Sequence, residues 1–322
     1  MRTGFSCHFP LLLLLLILPV APLRSEEVAL PTPLRFEPVD PDRDRTVPVK
    51  VYLPAAKTPQ PVVLFSHGLG GSRENSAYLG EFWAKRGYVA VFVQHAGSDE
   101  AVWKSSERGG RLEALKGAIS VTNAVARYAD IPFVIDRLEE WNAAGDHALK
   151  GKLDLTHIGL CGHSFGAVTT QALMGQRFVV NRSFHDPRID AFFAMSPSAS
   201  KGITSDKAFG HITAPVLCMT GTEDTSPVTP ETTAESRLEV YSALPAGNKY
   251  QLVFEGAGHF AFSDTGRFDE QRKAHHHPAI QEISTRFWDA YLKNDATAKA
   301  WLKSEKPRSD CKLLVKDRWE WK

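Results

Sequence analysis

Short apolar segments alternate with helical patterns along most of the chain, and this alternation is the strongest constraint on its fold. Six segments rich in β-branched, aliphatic or aromatic residues are too short for helices and are predicted to be buried strands: residues 62–65, 88–94, 158–161, 189–195, 216–220 and 251–254. Between two of them, Ile131, Val134, Leu138 and Trp141 recur at helical spacing. The pattern predicts an α/β domain with a mainly parallel central sheet and helices on both faces.

The ends of the predicted elements add detail. Residues 34–36 and 47–52 are separated by a turn-rich segment, which predicts an antiparallel N-terminal hairpin at the start of the sheet. Asp130 is predicted to be the N-cap of the helix that begins the apolar pattern at Ile131. Near the C-terminus, Pro278 is expected in the first turn of a second amphipathic helix.

Composition limits the functional classes. Of the 322 residues, 43% are hydrophobic and 23% are charged, which is typical of a globular domain and argues against long disorder. The net charge of +1 lacks the basic excess of a nucleic-acid-binding protein, so no nucleic-acid partner is expected. Cys161 and Cys218 lie inside apolar runs and are expected to be buried thiols; with Cys311 they do not imply a disulfide framework.

The N-terminus has the pattern of a secretory signal. Arg2 precedes a continuous apolar run at residues 11–20, and small residues follow it. We therefore expect residues 1–25 to be a signal peptide, cleaved after Ala21 or after Ser25, and residues 26–322 to form a single domain. The run is short for a bilayer span, so no stable transmembrane anchor is expected, although a short anchor is the alternative. The protein is predicted to be secreted or periplasmic, and its mature form would carry 36 basic and 37 acidic residues, a net charge of −1.

A G-x-S-x-G motif carries most of the functional information. Gly162-His163-Ser164-Phe165-Gly166 directly follows a predicted buried strand and precedes a segment that can start a helix. A sharp strand-to-helix turn would expose the Ser164 hydroxyl at the edge of the sheet, and only small neighbours fit beside it. Ser164 is therefore predicted to be a nucleophile; the alternative is a purely structural turn.

A serine nucleophile needs a base and an acid that orients the base. Asp224 follows the strand predicted at 216–220, and His259 follows the strand predicted at 251–254. Both positions lie at the carboxyl ends of parallel strands, the same sheet edge as Ser164. We predict Asp224 to be the acid, with Glu223 as its nearest competitor, and His259 to be the base.

A glycine-rich loop follows the first predicted strand. The sequence from Ser66 to Ser72 (SHGLGGS) superficially suggests a dinucleotide motif, but G-x-G-x-x-G would need a glycine where Arg73 stands. An oxyanion-hole loop fits better, and the predicted donors are the backbone N–H groups of Leu69 and Phe165. No cofactor is therefore expected.

Two further segments bear on ligand binding. Three adjacent histidines, His275–His277, cannot all face one ion without an unusual loop, and no second ligand cluster lies nearby, so no metal site is predicted. Residues 97–130 form a long connection that contains a charged stretch and a helical pattern. It is either a plain crossover or part of the wall over a binding site.

Taken together, the motifs GHSFGA, FSHGLGG, GTED and GAGH resemble the α/β-hydrolase superfamily over roughly residues 47–303. Within it, the chain is similar to the dienelactone-hydrolase-like esterases, the group that includes the secreted platelet-activating-factor acetylhydrolases and the bacterial polyester hydrolases. The resemblance implies Ser164, Asp224 and His259 as the triad and Leu69 as an oxyanion residue. True dienelactone hydrolases use a cysteine nucleophile, which Ser164 replaces here.

The expected function is that of an exported serine esterase that cleaves carboxylic esters of short to moderate acyl chains through an acyl-enzyme. A lipase or phospholipase A2-like enzyme and a polyester hydrolase are the alternatives, so the expected partner is a small-molecule, lipid or polymeric ester. A non-catalytic binding protein on a hydrolase scaffold is the rival from another class. Activity would rise with pH through the range in which a histidine loses its proton, about 6.5 when unperturbed.

Overall fold

The structure is a computed structural model that describes Met1, Gly4 and residues 29–179, 182–264 and 272–322. Apart from Met1 and Gly4, the predicted signal peptide lies outside the described residues. The strands are β1 (Leu34–Phe36), β2 (Val39–Asp40), β3 (Arg45–Thr46), β4 (Val49–Tyr52), β5 (Gln60–Ser66), β6 (Val89–Val93), β7 (Leu153–His163), β8 (Ile189–Met195), β9 (Val216–Glu223), β10 (Lys249–Gly258) and β11 (Arg318–Trp321). The helices are α1 (Ala77–Lys85), α2 (Ala101–Lys104), α3 (Arg111–Ala118), α4 (Val121–Ala143), α5 (Phe165–Leu173), α6 (Ser205–Phe209), α7 (Glu239–Ala243), α8 (His276–Leu292), α9 (Ala296–Leu302) and α10 (Lys306–Asp310).

Within the described residues, nine strands form one sheet in the order β1-β4-β6-β5-β7-β8-β9-β10-β11. The six central strands from β6 to β10 are parallel, and the edges are antiparallel. The predicted hairpin is present, since β1 pairs with β4 in a register that places Leu34 opposite Val51. The intervening segment forms a small hairpin of its own, β2–β3. The prediction of a mainly parallel sheet with an antiparallel N-terminal hairpin is therefore confirmed.

Helices cover both faces of the sheet. Side chains alternate along each strand, so on β5 Val63 and Phe65 join a buried cluster under α1 and α8, whereas Val62 and Leu64 join a second cluster under α4 and α5. Packing on both faces explains why the central strands read as continuous apolar runs. It also fixes the carboxyl ends of these strands, from which the candidate site is built.

One predicted helix boundary is wrong. Helix α4 begins at Val121, and its N-cap is Ser120, whose Oγ accepts the N–H of Asn123 at 3.1 Å. Asp130 therefore lies inside the helix and caps nothing. It is fully buried, and its carboxylate binds Arg45 at 2.8 Å. The apolar pattern starts only at Ile131 because the preceding turns carry polar groups that are used inside the protein.

The other helical prediction is confirmed, because α8 starts at His276 and Pro278 lies in its first turn. The edge strand β11 was not predicted. Its sequence RWEW alternates charged and aromatic residues, and it pairs with β10 so that Tyr250 lies opposite Trp321. Among the described residues, no helix is both long enough and apolar enough to cross a bilayer. Cys161, Cys218 and Cys311 are buried and unpaired.

Candidate active site

Ser164 lies at a sharp turn between β7 and α5. Its backbone has φ 57° and ψ −115°, a conformation that costs a residue with a side chain about 1–3 kcal/mol. The two glycines of the motif make the turn possible. A Cβ on Gly162 would lie 2.1 Å from the carbonyl oxygen of Gly166, and a Cβ on Gly166 would lie 1.8 Å from that of Ser66. Ser164 can protrude at this sheet edge only because its neighbours have no side chain.

The structure brings the three predicted triad residues into one hydrogen-bonded chain. Nε2 of His259 lies 2.9 Å from Oγ of Ser164, and Nδ1 of His259 lies 2.7 Å from Oδ1 of Asp224. Strand β9 ends at Glu223, which is exposed, whereas the next residue, Asp224, is fully buried and faces the imidazole. The geometry therefore distinguishes Asp224 from its competitor in the sequence.

The surroundings of Asp224 determine which atoms donate and which accept in this hydrogen-bonded chain. Burial alone would raise the pKa of Asp224, but the hydrogen bond from His259 and the positive charge of Arg237 lower it to about 2. An ionised carboxylate can only accept, and its Oδ2 accepts from Thr220 Oγ1 at 2.8 Å. Nδ1 of His259 therefore carries a proton, and Nε2 of the neutral ring is left to accept the proton of the Ser164 hydroxyl.

Arg237 binds Asp224 and was not predicted from the sequence. Its side chain is buried, and Nε lies 2.9 Å from Oδ1 and 2.6 Å from the carbonyl oxygen of Asp224. The guanidinium also donates to the carbonyl of Ser196 at 2.8 Å and lies 3.2 Å from Nδ1 of His259. It thus holds the loop that carries Asp224 after β9. No motif or periodicity marks Arg237, because its partners are mostly backbone carbonyls distant in sequence.

His163, the variable residue before Ser164, lies against His259. Its Nε2 donates to the carbonyl oxygen of His259 at 3.1 Å, and the two rings lie 4.9 Å apart. Burial lowers the pKa of His163 to about 3. The ring is therefore neutral at physiological pH and acts as a hydrogen-bond donor under the loop that carries His259.

The glycine-rich loop passes directly beside Ser164. A Cβ on Gly68 would lie 3.4 Å from Cβ of Ser164, and Leu69 and Phe165 border the same cavity as the serine. Among the described residues, neither the N–H of Leu69 nor that of Phe165 has an acceptor. The N–H of Phe165 is one of the unpaired donors at the start of α5. Both groups are thus free to bind a ligand.

The peptide plane that carries the N–H of Leu69 is fixed from its other end. The carbonyl oxygen of Gly68, in the same peptide unit, accepts from Nδ1 of His67 at 2.6 Å and from the N–H of Gly71 at 3.1 Å. Nε2 of His67 in turn accepts the N–H of His95 at 3.0 Å. Burial and the charge of a nearby arginine lower the pKa of His67 well below its usual range, so the ring is neutral. The orientation of the Leu69 N–H is thus preorganised.

No family model matches the sequence, and no curated protein matches it. Among solved structures, the chain is similar to a ferulic acid esterase from Streptomyces cinnamoneus, with a TM-score of 0.56 and 19% identity over 82% of this chain and 89% of that one. The protein has the α/β-hydrolase fold. At this identity the similarity concerns the fold, and the roles of the site residues depend on their geometry.

In this α/β-hydrolase fold a second Ser–His–Asp chain lies behind the glycine-rich loop. Ser66 Oγ is 2.9 Å from Nε2 of His95, and Nδ1 of His95 is 2.9 Å from Oδ2 of Asp130. All three side chains are fully buried, and Ser66 Oγ also accepts from Arg127 at 3.1 Å. Since no substrate can reach Ser66, the Ser66–His95–Asp130 chain cannot act as a nucleophilic site.

A cavity of about 570 Å³ opens beside Ser164. This volume is within the usual range for small-molecule sites. Its lining contains both apolar and polar side chains. The apolar lining residues are Leu69, Ile119, Val121, Ala124, Phe165, Val168, Phe178, Ala199 and Val228, and the polar ones include Ser198, Ser200, Lys201, Ser226, Thr229, Glu231, Thr232 and Glu239.

Residues 97–130 contribute to this cavity, which favours a wall over a plain crossover. The connection folds into α2 and α3 before α4, and its Ile119 and Val121 are among the residues that line the cavity. It also contacts the glycine-rich loop, because Nε1 of Trp103 donates to the carbonyl oxygen of Gly70 at 2.7 Å. The same segment thus shapes the cavity and supports the loop of Leu69.

The three adjacent histidines engage different partners. Nε2 of His275 lies 2.8 Å from Asp317, Nδ1 of His276 accepts the N–H of Lys273 at 3.2 Å, and Nε2 of His277 lies 3.1 Å from the carbonyl oxygen of Ser263. Within the described ranges, no group of three His, Cys, Asp or Glu side chains is arranged to hold a metal ion.

Proposed function

We propose that the protein is an exported serine hydrolase that cleaves carboxylic esters through an acyl-enzyme. The observation that carries the proposal is the continuous chain from Asp224 through His259 to Ser164, with contacts of 2.7 and 2.9 Å. Ser164 borders an accessible cavity, and the free N–H groups of Leu69 and Phe165 border it too. These are the parts that acyl transfer to a serine requires.

In the proposed reaction, Nε2 of His259 takes the proton of Ser164 while Oγ attacks the ester carbonyl. The N–H groups of Leu69 and Phe165, with the positive end of α5, stabilise the oxyanion. His259 then protonates the leaving alcohol, and an acyl-enzyme remains. A water molecule attacks the acyl-enzyme with His259 as base, and the acid is released. The ionised Asp224 keeps the proton on Nδ1 and stabilises the imidazolium.

The cavity supports esters of short to moderate acyl chains. Apolar residues of its lining such as Leu69 and Phe165 can contact an acyl chain attached to Ser164, and the polar residues of the lining can contact a hydroxylated or charged alcohol. Lipid and polyester substrates are the alternatives. The signal-like residues 1–25 support export to the periplasm or the medium.

Labelling with a fluorophosphonate tests the proposal. The wild-type protein should be labelled at Ser164 and should hydrolyse a chromogenic acetyl or butyryl ester, whereas Ser164→Ala should do neither and should unfold at nearly the same temperature. Ser242→Ala is a matched control, because Ser242 is exposed on α7 and is not one of the residues that line the cavity; it should keep both properties. An unlabelled wild-type protein would instead favour a binding protein on a hydrolase scaffold.

A substrate series would define the ester class. Rates should be measured for chromogenic esters of increasing acyl length, a feruloyl ester, a phospholipid dispersion and a polyester film. A maximum at short to moderate chains supports the proposal. A preference for the phospholipid or the film would replace the substrate class while leaving the reaction unchanged.

A further inference from the structure

We infer that Arg127 is a positioning residue that holds the two proposed oxyanion donors, the N–H groups of Leu69 and Phe165, in a fixed relative position. The inference rests on the proposed function. Arg127 lies on α4 and is fully buried, so it neither contacts the cavity nor reaches a substrate. Its contacts extend to both elements that carry the donors.

The first set of contacts is to the loop that carries Leu69. One terminal nitrogen of Arg127 donates to the carbonyl oxygen of His67 and, at 3.1 Å, to Oγ of Ser66. The His67 carbonyl belongs to the peptide unit directly before the one that carries the Leu69 N–H. The other terminal nitrogen donates to Oγ of Ser98 at 2.9 Å. Arg127 therefore fixes the backbone at the point where β5 turns into the loop.

The second set of contacts is to the helix that carries Phe165. Nε of Arg127 donates to Oγ1 of Thr169 at 3.0 Å, and the same hydroxyl donates to the carbonyl oxygen of Phe165 at 3.1 Å. The guanidinium also lies 4.6 Å from the centre of the Phe165 ring, within the range of a cation–π contact. One planar group thus joins the first turn of α5 to the glycine-rich loop.

The charge of Arg127 makes this arrangement specific. Within the part of the chain that the structure describes, the guanidinium forms no direct ion pair, and the charges that act on it come from Asp130, Arg45 and Asp99. Burial lowers the pKa of Arg127 to about 9, so the group remains a cation at neutral pH. Because Ser66 accepts from Arg127, its own proton is directed to His95, and His95 donates in turn to Asp130. The buried Ser66–His95–Asp130 chain therefore keeps Oγ of Ser66 oriented to accept from the guanidinium.

A purely packing role would not need a cation here, since a buried charge costs several kcal/mol of desolvation and an apolar side chain of similar volume often replaces it without loss. A rigid fork of donors, by contrast, can hold several acceptors at set distances. We therefore expect the Arg127→Met variant to fold but to align its oxyanion donors poorly. A misplacement of about 1 Å can reduce a rate by roughly a hundredfold.

The test compares Arg127→Met and Arg127→Lys with the wild type on a chromogenic ester. We expect kcat to fall about 10- to 100-fold in Arg127→Met with KM nearly unchanged, because the contacts to the developing oxyanion are lost while substrate binding is not. The affinity for a boronic acid, which forms a tetrahedral adduct with the serine, should fall in parallel. Arg127→Lys should recover only part of the rate, since one ammonium cannot reach all the acceptors.

Lys249→Met is the matched control. Lys249 is also a fully buried cation held by carbonyls, those of Thr213 at 3.1 Å and Gly247 at 2.7 Å, but it lies at the amino end of β10, away from Ser164. Its replacement should leave kcat and boronate affinity unchanged, whatever it does to stability. If Arg127→Met does not fold, Thr169→Val removes one acceptor of the guanidinium and should lower kcat several-fold.

The outcomes separate the two proposals. A folded wild-type protein that hydrolyses none of the esters refutes the proposed function. An active wild type whose Arg127→Met variant keeps its kcat and its boronate affinity refutes the role of Arg127 alone. A variant with raised KM and unchanged kcat also refutes it, because that result would place Arg127 in substrate binding.

Discussion

Replacement of Gly166 by alanine should damage both stability and catalysis, and the structure gives the size of the effect. A Cβ at this position would lie 1.8 Å from the carbonyl oxygen of Ser66 and 3.0 Å from that of His67. Both obstacles are backbone atoms, so no side chain can rotate away. Restoring ordinary contact would move the turn at Ser164 away from the glycine-rich loop by roughly 1.5 Å, since interiors have few voids to absorb the shift.

Overpacking of this kind costs about 3 kcal/mol, which lowers the unfolding temperature of a domain of this size by roughly 6–12 °C. The same shift separates Ser164 from the N–H of Leu69, so kcat/KM should fall by about a hundredfold. Both quantities are measured on the purified Gly166→Ala variant, by thermal unfolding and by hydrolysis of a chromogenic ester well below its unfolding temperature.

Gly80→Ala separates the two effects. A Cβ on Gly80 would lie 2.5 Å from the ring of Tyr52, so this variant is also overpacked, but at the contact of α1 with β4, away from Ser164. It should lose stability and keep its kcat/KM. The reasoning is refuted if Gly166→Ala hydrolyses the ester at the wild-type rate, or if Gly80→Ala loses as much activity as Gly166→Ala.

Three further predictions concern other parts of the protein. Asp224→Asn should lower kcat by roughly ten-thousandfold. Folding lowers the pKa of Asp224 to about 2, so its ionised carboxylate adds about 2 kcal/mol to the free energy of unfolding of the wild type above pH 4, and this contribution is lost as the pH falls towards 2. Asp224→Asn should lack this contribution. Urea unfolding of both proteins across this pH range measures the difference. Cys161, Cys218 and Cys311 are buried, and burial raises the pKa of the Cys218 and Cys311 thiols to about 12. A thiol reagent at pH 8 should therefore label no cysteine in the native protein and three cysteines after unfolding. A fourth labelled cysteine would show that the predicted signal peptide is retained. Val121→Asp, at an 81% exposed position on the cavity wall, should raise KM for longer acyl esters several-fold and change stability by less than about 0.5 kcal/mol.

The central sheet could be predicted because its strands are buried on both faces. Such strands have few polar positions, so the runs at 62–65, 189–195 and 216–220 are recognisable as almost continuous apolar segments. The order of Ser164, Asp224 and His259 could be placed as well, because each follows a parallel strand and all such strands end at one edge. In the structure the three side chains form one hydrogen-bonded chain, and their catalytic roles stay a prediction.

Other features could not be predicted because their partners are remote in sequence. Arg127 and Arg237 bind groups up to 61 and 41 residues away, mostly hydroxyls and carbonyls, and such contacts leave no periodic pattern. The N-cap of α4 could not be predicted for a related reason. Asp130 precedes an apolar run, as an N-cap does, but it lies inside the helix and forms an ion pair with Arg45, whereas the N-cap is Ser120. Local propensity cannot distinguish a cap from a buried carboxylate.

The backbone of Ser164 has a consequence for protein engineering. Its positive φ is a conformation that glycine adopts freely and serine only at a cost, so Ser164→Gly should make the protein more stable while abolishing the proposed chemistry. A laboratory evolution campaign that rewards heat resistance alone would enrich this inactive variant. Any such campaign on this scaffold therefore needs to screen for turnover, because stability favours glycine at position 164 whereas the proposed catalysis requires serine.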